Sequence, residues 1–593
     1  MAFLSAVDYA ILVVFLLFSA GIGVFHALRG GRQRTAKEYL LADRQMNPIP
    51  VTISVVVSVL SAVTFLGTPA ETYIHGPQYW VVFLAKVIPI YIIPFSFVPV
   101  FYKLQVTSIY EYLGTRFGRA VRLFGMSINC VYLVMYLGIV IYGPALALNA
   151  VTGLSIAGSI IAVGIVCTFY TTVGGIKAVL WADVFQSVIF LTGFFITIFA
   201  CSAHVGGFAE IFRINSRDGH GTFLDFRLNP TIRHSFWSVF IGFGFLMTSY
   251  AGTNQIIVQR YMTCRTLKES QLAAGFGNLF IGVVELIAVF TGICMYAYFA
   301  GCDPVTSGKV QKADQLMAYI IIELFQHIPG MVGFLISAVF SASLSTISSG
   351  VNALATMFGQ DVIKPFFPNL TDFKFTVILK LISVVFGIAT IVMAFLASVL
   401  GGLLPLTLSL IGILNGPILG VFALGVYFPW ANSKGAMSGM ITALAIGGWM
   451  KIGALIYPPI IDYPPLFVDQ CAVNVTNAAD IAVTELYEVI SESPSMMAPI
   501  TTPGIARLYA LSYAYYTPLT CLITIIVGVV VSFLIQPTDP SSLDPDLLSP
   551  MAETFCCCLP KHWREKLRCG VKVKDREIVE TEDPDVVKTS PDL

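Results

Sequence analysis

The chain has 593 residues, of which 56% are hydrophobic and only 11% are charged, and its mean hydropathy is +0.81. Soluble globular proteins carry about 25% charged residues, so the composition excludes that class and indicates an integral membrane protein. The 34 basic and 34 acidic residues leave no formal net charge, which gives no basis for nucleic acid as a partner.

Apolar segments near the 20-residue length of a bilayer-crossing helix follow one another along most of the chain. We count about thirteen, which predicts an all-α polytopic membrane protein embedded in a lipid bilayer. They cover approximately residues 7–28, 48–69, 79–102, 124–147, 154–176, 182–203, 236–258, 273–299, 330–358, 376–399, 403–428, 436–457 and 512–535.

The first span sets the predicted orientation. An acidic residue lies at its start and basic residues follow it: Asp8, and then Arg29, Arg32, Arg34 and Lys37. The positive-inside rule therefore places the N-terminus outside, and an odd number of spans leaves the C-terminus inside. Alternate threading assigns to cytoplasmic connections the cations Lys103, Arg116, Arg119, Arg122, Arg260, Arg265, Lys268, Lys364, Lys374 and Lys434. The longer outer loops receive Arg213, Arg217, Arg227, Arg233, Lys309 and Lys312.

The segments outside the membrane carry three further signals. The outer loop before the last span contains the sequon Asn474-Val475-Thr476, so Asn474 is the expected glycosylation site. Cys302 and Cys471 fall clearly in outer loops, where they either form a disulfide or remain two free thiols. After residue 536 the chain becomes polar and charged, which predicts a cytoplasmic tail over residues 536–593.

The apolar segment 330–349 contains an unusually dense row of hydroxyls. On a helix these side chains form one stripe: Ser337, Ser341, Ser345 and Ser348. Lipid offers a hydroxyl no hydrogen-bond partner, so the stripe is expected to face a neighbouring helix or an aqueous cavity. Hydroxyl and carbonyl oxygens also suit a hard cation such as Na⁺. The pattern therefore indicates transport.

Two other spans combine small polar residues with helix breakers. Span 48–69 places Ser54, Ser58 and Ser61 on one face with Thr64 close by, and Gly67 and Pro69 interrupt the helix beyond. Span 236–258 contains Gly242, Gly244 and Gly252 and ends in Asn254 and Gln255. One interrupted span early and one later is typical of inverted-repeat transporters, whose helix breaks free carbonyl oxygens for ions. Tight helix packing is the alternative for either span alone.

Three ionisable residues inside spans are candidates for function because burying a charge in lipid is costly. Asp183 opens the sixth span, and Glu285 lies in the middle of its span, where it is protonated, paired or part of an ion path. Lys86 lies about 10 Å into its span at 1.5 Å per residue. Its ammonium either reaches the outer surface or lies beside an anionic substrate.

An intramembrane enzyme is not expected. All seven histidines fall at span ends, in loops or in the tail, no HExxH motif is present, and no serine has an evident basic partner. No organic cofactor is indicated, nor any metal beyond sodium. A channel or a transport-silent sensor on the same scaffold is the remaining alternative, although a channel would need repeated charged filter residues that the sequence lacks.

Several segments resemble the sodium/solute symporter family over roughly residues 5–535. The similar segments are VTSIYEYLGTRFGRAVRLFG (106–125), GIVIYGPALALNAVTG (138–153), TVGGIKAVLWADVFQ (172–186), NQIIVQRY (254–261), FSASLSTISSGVNALA (340–355) and NGPILGVFALGVYFP (415–429). Three more resemble the branch of multivitamin, monocarboxylate and iodide carriers: SVLSAVTFLGTPAETY (58–73), CDPV (302–305) and RLYALSYAYY (507–516).

The resemblance implies a symporter core of two inverted five-helix repeats, over residues 48–203 and 236–428. Residues 1–30 would form a peripheral N-terminal helix, and residues 436–535 two accessory helices with the glycosylated outer loop. The implied function is Na⁺-coupled import of a small organic anion across the plasma membrane by alternating access. A monocarboxylate or a carboxylate vitamin such as biotin or pantothenate is expected, and iodide is the alternative solute.

The resemblance also implies site residues. One sodium site would use the carbonyl oxygens of Val57, Leu60 and Ala342 with the hydroxyls of Ser345 and Thr346. A second sodium cluster would involve Ser58, Asp183, Gln186 and Gln255. The substrate cavity would be lined by Ser61, Thr64, Lys86, Tyr142, Met247, Thr407 and Leu408.

Overall fold

The computed structural model describes residues 4–28, 35–398, 403–458, 464–471 and 504–549. Within these ranges the chain is helical and contains no β-strand. The α-helices, numbered in chain order, are α1 (Ala6–Leu28), α2 (Ala36–Leu41), α3 (Pro48–Val59), α4 (Thr68–His75), α5 (Val82–Ala85), α6 (Val87–Ile92), α7 (Val98–Lys103), α8 (Tyr110–Phe117), α9 (Arg119–Thr152), α10 (Ile156–Val205), α11 (Phe208–Arg217), α12 (Phe236–Gly252), α13 (Gln255–Tyr261), α14 (Leu267–Tyr298), α15 (Leu316–Phe325), α16 (Met331–Phe358), α17 (Lys364–Phe366), α18 (Asp372–Ala397), α19 (Leu403–Leu410), α20 (Gly416–Tyr427), α21 (Ser433–Ile456) and α22 (Tyr516–Ile535).

Short turns of other helix types join or flank these helices. The π-helical turns are Val63–Gly67, Ile93–Phe97, Gly359–Ile363 and Ile411–Asn415. The 3₁₀ turns are Ala42–Arg44, Pro77–Val81, Ala313–Gln315, Gly504–Ala510, Tyr513–Tyr515, Pro540–Ser542 and Pro545–Leu547. Such turns are common where a helix is interrupted near a functional site.

The predicted all-α polytopic membrane protein is confirmed. By length and composition, nine described helical segments are apolar enough to cross a bilayer, and a tenth is the bent pair Pro48–Val59 and Val63–His75. Three shorter apolar helices begin where further spans were predicted: Ala6–Ser19, Ile156–Phe169 and Phe236–Gly252. A total of thirteen spans stays a prediction.

A single glycine divides α10 into the predicted fifth and sixth spans. Gly175 has φ 62° and ψ −177°, a left-handed conformation that an L-residue with a Cβ atom rarely adopts. The apolar span therefore restarts at Gly175 and continues to Val205. This kink brings Asp183, eight residues on, into the interior of the sixth span, where it is fully buried.

Both interrupted spans are broken, but the first breaks earlier than predicted. Helix α3 ends at Val59, Leu60 is extended with φ −88° and ψ 91°, and the following helix is bent by 59°. Gly67 and Pro69 do not make this break, because proline is tolerated in the first turn of α4, where no backbone N–H is required. The second break follows Gly252, and Asn254 caps the start of α13.

Helix α16 lies at the centre of the bundle, packed against α1, α3, α9, α10 and α18. Its hydroxyl stripe is therefore buried by protein and does not face lipid. The hydroxyls of Ser337, Ser341 and Ser348 donate hydrogen bonds to carbonyl oxygens of the same helix at 2.8 to 3.0 Å. Ser345 differs, because its hydroxyl donates to a side chain of another helix.

The first part of the predicted tail, residues 536–549, packs against the helical bundle. Its backbone is held at both ends, because the N–H of Thr538 donates to Trp430 O at 2.9 Å and the N–H of Ser549 donates to Val426 O at 3.1 Å. Leu547, a residue of this segment, is buried. The remainder of the tail, from residue 550, lies outside the described residues.

Candidate sodium and substrate site

The break after α3 meets the centre of α16. The hydroxyl of Thr346 lies 3.2 Å from Ala342 O on its own helix and 3.3 Å from Ser58 O on α3. All three residues are buried, as are the neighbouring Val57 and Leu60. The structure therefore brings together the two chain segments predicted to form the first sodium site.

Asp183 is the centre of a buried polar cluster beside this junction. Its Oδ1 accepts a hydrogen bond from Ser345 Oγ at 2.5 Å. Its Oδ2 accepts from Ser54, from Ser58 at 3.4 Å and from Arg260 Nη2 at 3.2 Å. Ser345 is thus shared, since it belongs to the first predicted sodium site and contacts the carboxylate of the second.

Arg260 is the residue of this cluster that sequence reasoning placed elsewhere. We assigned it to a cytoplasmic connection, but it lies within α13 and is only 1% exposed. Its Nε donates to Ser54 Oγ at 2.8 Å, and its Nη1 donates to Ile256 O at 2.6 Å. Arg260 is buried in a helix and does not lie in a connecting loop, because α13 restarts after the break. The cytoplasmic side for this segment stays a prediction. An arginine directly after an interrupted span was the available signal.

The second predicted cluster is only partly assembled. Gln255 does not join it, because its Oε1 accepts from the Ile109 N–H at 2.9 Å and its Nε2 donates to Thr107 O at 2.8 Å. These bonds hold the segment before α8 instead. Gln186 lies one helical turn from Asp183, and its buried amide has no hydrogen-bond partner among the described residues. A buried unpaired amide is costly, so Gln186 marks a position where a ligand would be stabilising.

Aromatic and amide side chains line the other side of the α3 break. The Tyr136 hydroxyl lies near the hydroxyls of Ser61 and Tyr250. The Tyr132 ring stacks on that of Tyr136 with 5.7 Å between centroids, and its hydroxyl faces the amide of Asn415. Sequence reasoning found only Ser61 here. The i, i+4 spacing of two tyrosines on an apolar helix was the signal for the others.

The remaining predicted cavity residues are placed on several helices. Thr64 is half-buried in the π-turn after the break, and Met247 is buried on α12. Thr407 and Leu408 are buried on α19, where the Thr407 hydroxyl has no partner among the described residues. Helix α19 packs against the turn Val63–Gly67, so the helix that carries Thr407 and Leu408 lies beside the turn that carries Thr64.

Lys86 forms a buried ion pair. Its Nζ lies 2.8 Å from Glu285 Oε2 on α14, and the lysine side chain is 1% exposed. The ammonium therefore does not reach the outer surface. A carboxylate substrate at Lys86 would have to compete with Glu285, whose negative charge already balances the positive charge of the lysine.

A comparison with known proteins decides the family. Residues 39–443 match the model of the Sodium:solute symporter family. The chain belongs to this family. The symporter family and its members are transporters and not enzymes, and membership implies Na⁺ as the coupling ion.

Curated relatives of the symporter cover nearly the whole chain. Human Sodium-coupled monocarboxylate transporter 2 is 39% identical over 573 residues, which are 95% of this chain and 90% of that protein. Human Sodium-coupled monocarboxylate transporter 1 is 40% identical over 88% of this chain and 86% of its own length. The human Sodium/iodide cotransporter is 36% identical over 99% of this chain and 90% of its own length.

A solved structure shares the symporter's fold. A Na⁺-coupled sialic acid symporter in a substrate-bound, outward-open state superposes with a TM-score of 0.71. The match covers 90% of this chain and 99% of that chain at 22% sequence identity. This similarity supports the fold alone.

At the end of the helices where residues 302 and 471 meet, bonds tie the loops to the helices. Cys302 and Cys471 are joined in a disulfide bond, and the Tyr73 hydroxyl donates to the neighbouring Asp303 at 2.6 Å. Tyr142, a predicted cavity residue, accepts a hydrogen bond from Lys312 Nζ at 3.2 Å. The predicted glycosylation site, Asn474, lies outside the described residues.

Proposed function

We propose that this chain is a plasma-membrane symporter that couples the entry of Na⁺ to the import of a small organic anion, most specifically a monocarboxylate. The proposal is supported by two relatives named as sodium-coupled monocarboxylate transporters, at 39% and 40% identity. The observation that carries it is the junction of α3 and α16, where the Thr346 hydroxyl faces carbonyl oxygens of Ser58 and Ala342.

The first sodium ion would bind at that junction. Na⁺ is a hard cation that prefers oxygen ligands, and a helix break leaves carbonyl oxygens without intrahelical partners. The proposed ligands are the carbonyl oxygens of Val57, Leu60 and Ala342 and the hydroxyls of Ser345 and Thr346. Because Ser345 also donates to Asp183, an ion that coordinates the Ser345 hydroxyl would affect the hydrogen bond between Ser345 and the Asp183 carboxylate.

A second ion would bind near Ser58, Asp183 and Gln186. The unpaired amide of Gln186 supplies an oxygen ligand, and the Asp183 carboxylate supplies the charge. Arg260 opposes this ion, since its guanidinium already contacts the same carboxylate oxygen. Binding of the second ion would therefore require Arg260 to withdraw from Asp183. Gln255 is not among the proposed ligands, because its amide is hydrogen-bonded to Ile109 and Thr107.

The energetics favour two sodium ions per anion. One sodium ion moving down 100 mV yields about 2.3 kcal/mol, and a tenfold concentration gradient adds about 1.4 kcal/mol. A monovalent anion moving inward opposes the potential by about 2.3 kcal/mol. One sodium ion would therefore leave about 1.4 kcal/mol for accumulation, whereas two would leave about 5 kcal/mol.

The proposed architecture has thirteen spans, an outer N-terminus and an inner C-terminus, with repeats over residues 48–203 and 236–428. The two interruptions support the repeat, because the breaks after α3 and after α12 lie in the first span of each half. Alternating access would then move one group of helices against the other around these breaks. A pseudo-twofold relation between the halves would be its structural signature.

Uptake in expressing cells tests the proposal. Radiolabelled lactate, biotin, pantothenate and iodide are compared in Na⁺ and choline media. We expect Na⁺-dependent uptake of lactate, and a matched Thr346→Ala variant should need more Na⁺. Equal uptake of every solute in both media would refute the proposal.

Iodide is the second candidate solute. The observation that favours it is the 36% identity to the human Sodium/iodide cotransporter over 99% of this chain. The same uptake experiment separates the two, because Na⁺-dependent iodide uptake without lactate uptake would replace the monocarboxylate by an inorganic anion.

A further inference from the structure

We propose that Lys312 and Tyr142 form an outer carboxylate site, where the anionic solute binds before it reaches the central cavity. The inference rests on the proposed function and extends it to the route of entry. It assigns the recognition of negative charge to Lys312 on the outer side and not to the buried Lys86.

The surroundings of Lys312 leave its charge available. Its Nζ donates to the Tyr142 hydroxyl at 3.2 Å and to Ser398 O at 3.4 Å, and it lies 5.6 Å from the centroid of the Tyr142 ring. An ammonium has three donors, and both of these acceptors are neutral. Lys312 is exposed to solvent and forms no ion pair with a carboxylate among the described residues.

Asp314, two residues along the chain from Lys312, already has a hydrogen-bond donor. Asp314 is buried, and its Oδ2 accepts a hydrogen bond from the Leu403 N–H at 2.9 Å. It therefore ties the loop to the start of α19. Its carboxyl group feels the charge of Lys312 but forms no ion pair with it among the described residues, so the ammonium can still contact an incoming anion.

Several other cations of these loops are paired, although Lys309 forms no ion pair among the described residues. Four arginines of the outer loops contact carboxylates: Arg213 with Glu210, Arg217 with Asp218, Arg227 with Asp225 and Arg233 with Glu71. Lys86 is paired with Glu285. Lys312 thus combines an unneutralised charge with direct contact to a predicted cavity residue.

The position of Lys312 connects it to the helix break. The turn Ala313–Gln315, which follows it, packs against Val63–Gly67, α4 and α9. Tyr142 lies six residues along α9 from Tyr136, which corresponds to about 9 Å at 1.5 Å per residue. The Tyr136 hydroxyl in turn lies near Ser61 at the break. A carboxylate bound at Lys312 would therefore lie close to the proposed central cavity at Ser61, on its outer side.

The expected energetic effect is modest because Lys312 is exposed. Solvent-exposed ion pairs contribute about 0.2–1 kcal/mol, which corresponds to at most about a fivefold change in affinity. The positive charge would also raise the rate of encounter with anions at low ionic strength. Removing the charge should therefore raise KM for the anion about two- to fivefold and leave the maximal rate unchanged.

Charge replacement at one atom tests the site. Lys312→Cys is expressed, and Na⁺-dependent lactate uptake is measured before and after treatment with a membrane-impermeant cationic or anionic thiosulfonate. We expect a raised KM for the untreated variant, recovery with the cationic reagent and a further rise with the anionic one. Lys309→Cys, an exposed lysine of the same loop, is the matched control, and wild-type protein treated in parallel controls for native cysteines.

A second readout does not depend on transport. Wild-type protein is acylated with an impermeant lysine-reactive ester, and modification of Lys312 and Lys309 is quantified by mass spectrometry with and without lactate. Lactate should slow the modification of Lys312 only. An unchanged KM in Lys312→Cys, or equal protection of both lysines, would overturn the inference. Protection of Lys312 in a protein without Na⁺-dependent uptake would instead retain this site and refute the proposed function.

Discussion

Thr346 is the residue on which the sodium site depends most directly, because its hydroxyl bridges the break of α3 and the centre of α16. We expect Thr346→Ala to raise the Na⁺ concentration for half-maximal uptake about tenfold, since one lost ligand corresponds to about 1.4 kcal/mol. The measurement is Na⁺-dependent uptake at saturating solute.

Ser348→Ala is the matched control for Thr346→Ala. Ser348 is buried on the same helix, but its hydroxyl donates to Ser345 O of that helix at 3.0 Å. Its removal should leave the Na⁺ dependence unchanged. An unchanged Na⁺ dependence in Thr346→Ala would remove this threonine from the site.

The Lys86–Glu285 pair is expected to act on stability. Glu285→Gln leaves a buried ammonium without its carboxylate, and breaking one partner of a buried pair costs about 3–5 kcal/mol. Replacing both residues by apolar ones of similar size, as in Lys86→Met with Glu285→Leu, should restore much of the thermal stability in detergent. If Lys86 instead binds the substrate, Glu285→Gln would change KM for the anion and leave the melting temperature unchanged.

Asp314 gives the loop before α15 a pH-dependent stability. Burial raises the pKa of Asp314 from 3.8 to about 6, against the smaller opposing effect of the Leu403 N–H. Because the folded-state pKa lies above the unfolded one, folding favours the protonated carboxyl. Its stabilising contribution is complete below about pH 4 and is lost as the pH rises to about 6.

Comparison with Asp314→Asn isolates this contribution. The thermal unfolding midpoints of the wild type and of the variant are measured in detergent. The wild-type value minus the variant value should decrease as the pH rises from 4 to 6 and stay constant above pH 6. A difference that is constant across that range would show that Asp314 does not titrate there.

At the scale of helices, the segment 536–549 is expected to act as a brace between elements. Ser549 contacts Ser96 at 2.7 Å, the Tyr112 hydroxyl donates to Leu547 O at 3.1 Å, and Lys103 pairs with Asp546 at 3.3 Å. Leu547→Asp should detach the segment, because a carboxylate is not tolerated at its buried site without a partner.

Amide hydrogen exchange measures that detachment. The backbone N–H groups of Thr538 and Ser549, which donate to Trp430 O and Val426 O, should lose protection in Leu547→Asp. Ser541→Asp, at an exposed position of the same segment, should retain it. Equal protection in both variants would show that Leu547 does not hold the segment in place.

The sequence predicted the helical elements well because each span carries its own signal. Apolar runs of bilayer length predicted most spans, and the glycines and Asn254 predicted the break after α12. The break after α3 was placed too late, because residues 51–66, which include the extended Leu60, contain no glycine or proline. Its conformation is set by packing against other helices, which local composition does not encode.

The candidate site was predictable only where one segment contained the signal. Ser345 and Thr346 lie in the hydroxyl-rich helix and were found, whereas the partner of Asp183 is 77 residues away at Arg260. The contact between Thr346 and Ser58 O spans 288 residues. Pairings over such distances depend on how helices cross, and the pairing of Lys86 with Glu285 was one of several open alternatives for the same reason.

On the scale of the whole molecule, the coupling between ions and anion has an electrical consequence. Two sodium ions entering with one monovalent anion would carry one net positive charge inward in each cycle. Uptake should therefore increase as the membrane potential becomes more negative inside. The free energy that drives it rises by up to about 2.3 kcal/mol for each additional 100 mV. Symport of one sodium ion with one monovalent anion would be electrically silent.

Simultaneous recording of current and radiolabelled lactate uptake in voltage-clamped cells tests the central claim most directly. With Na⁺ outside, we expect an inward current that begins with lactate and a fixed ratio of about one charge per anion; Thr346→Ala should need more Na⁺ for both. Lactate uptake that persists in choline, or that is Na⁺-dependent without current, would contradict coupling to two sodium ions.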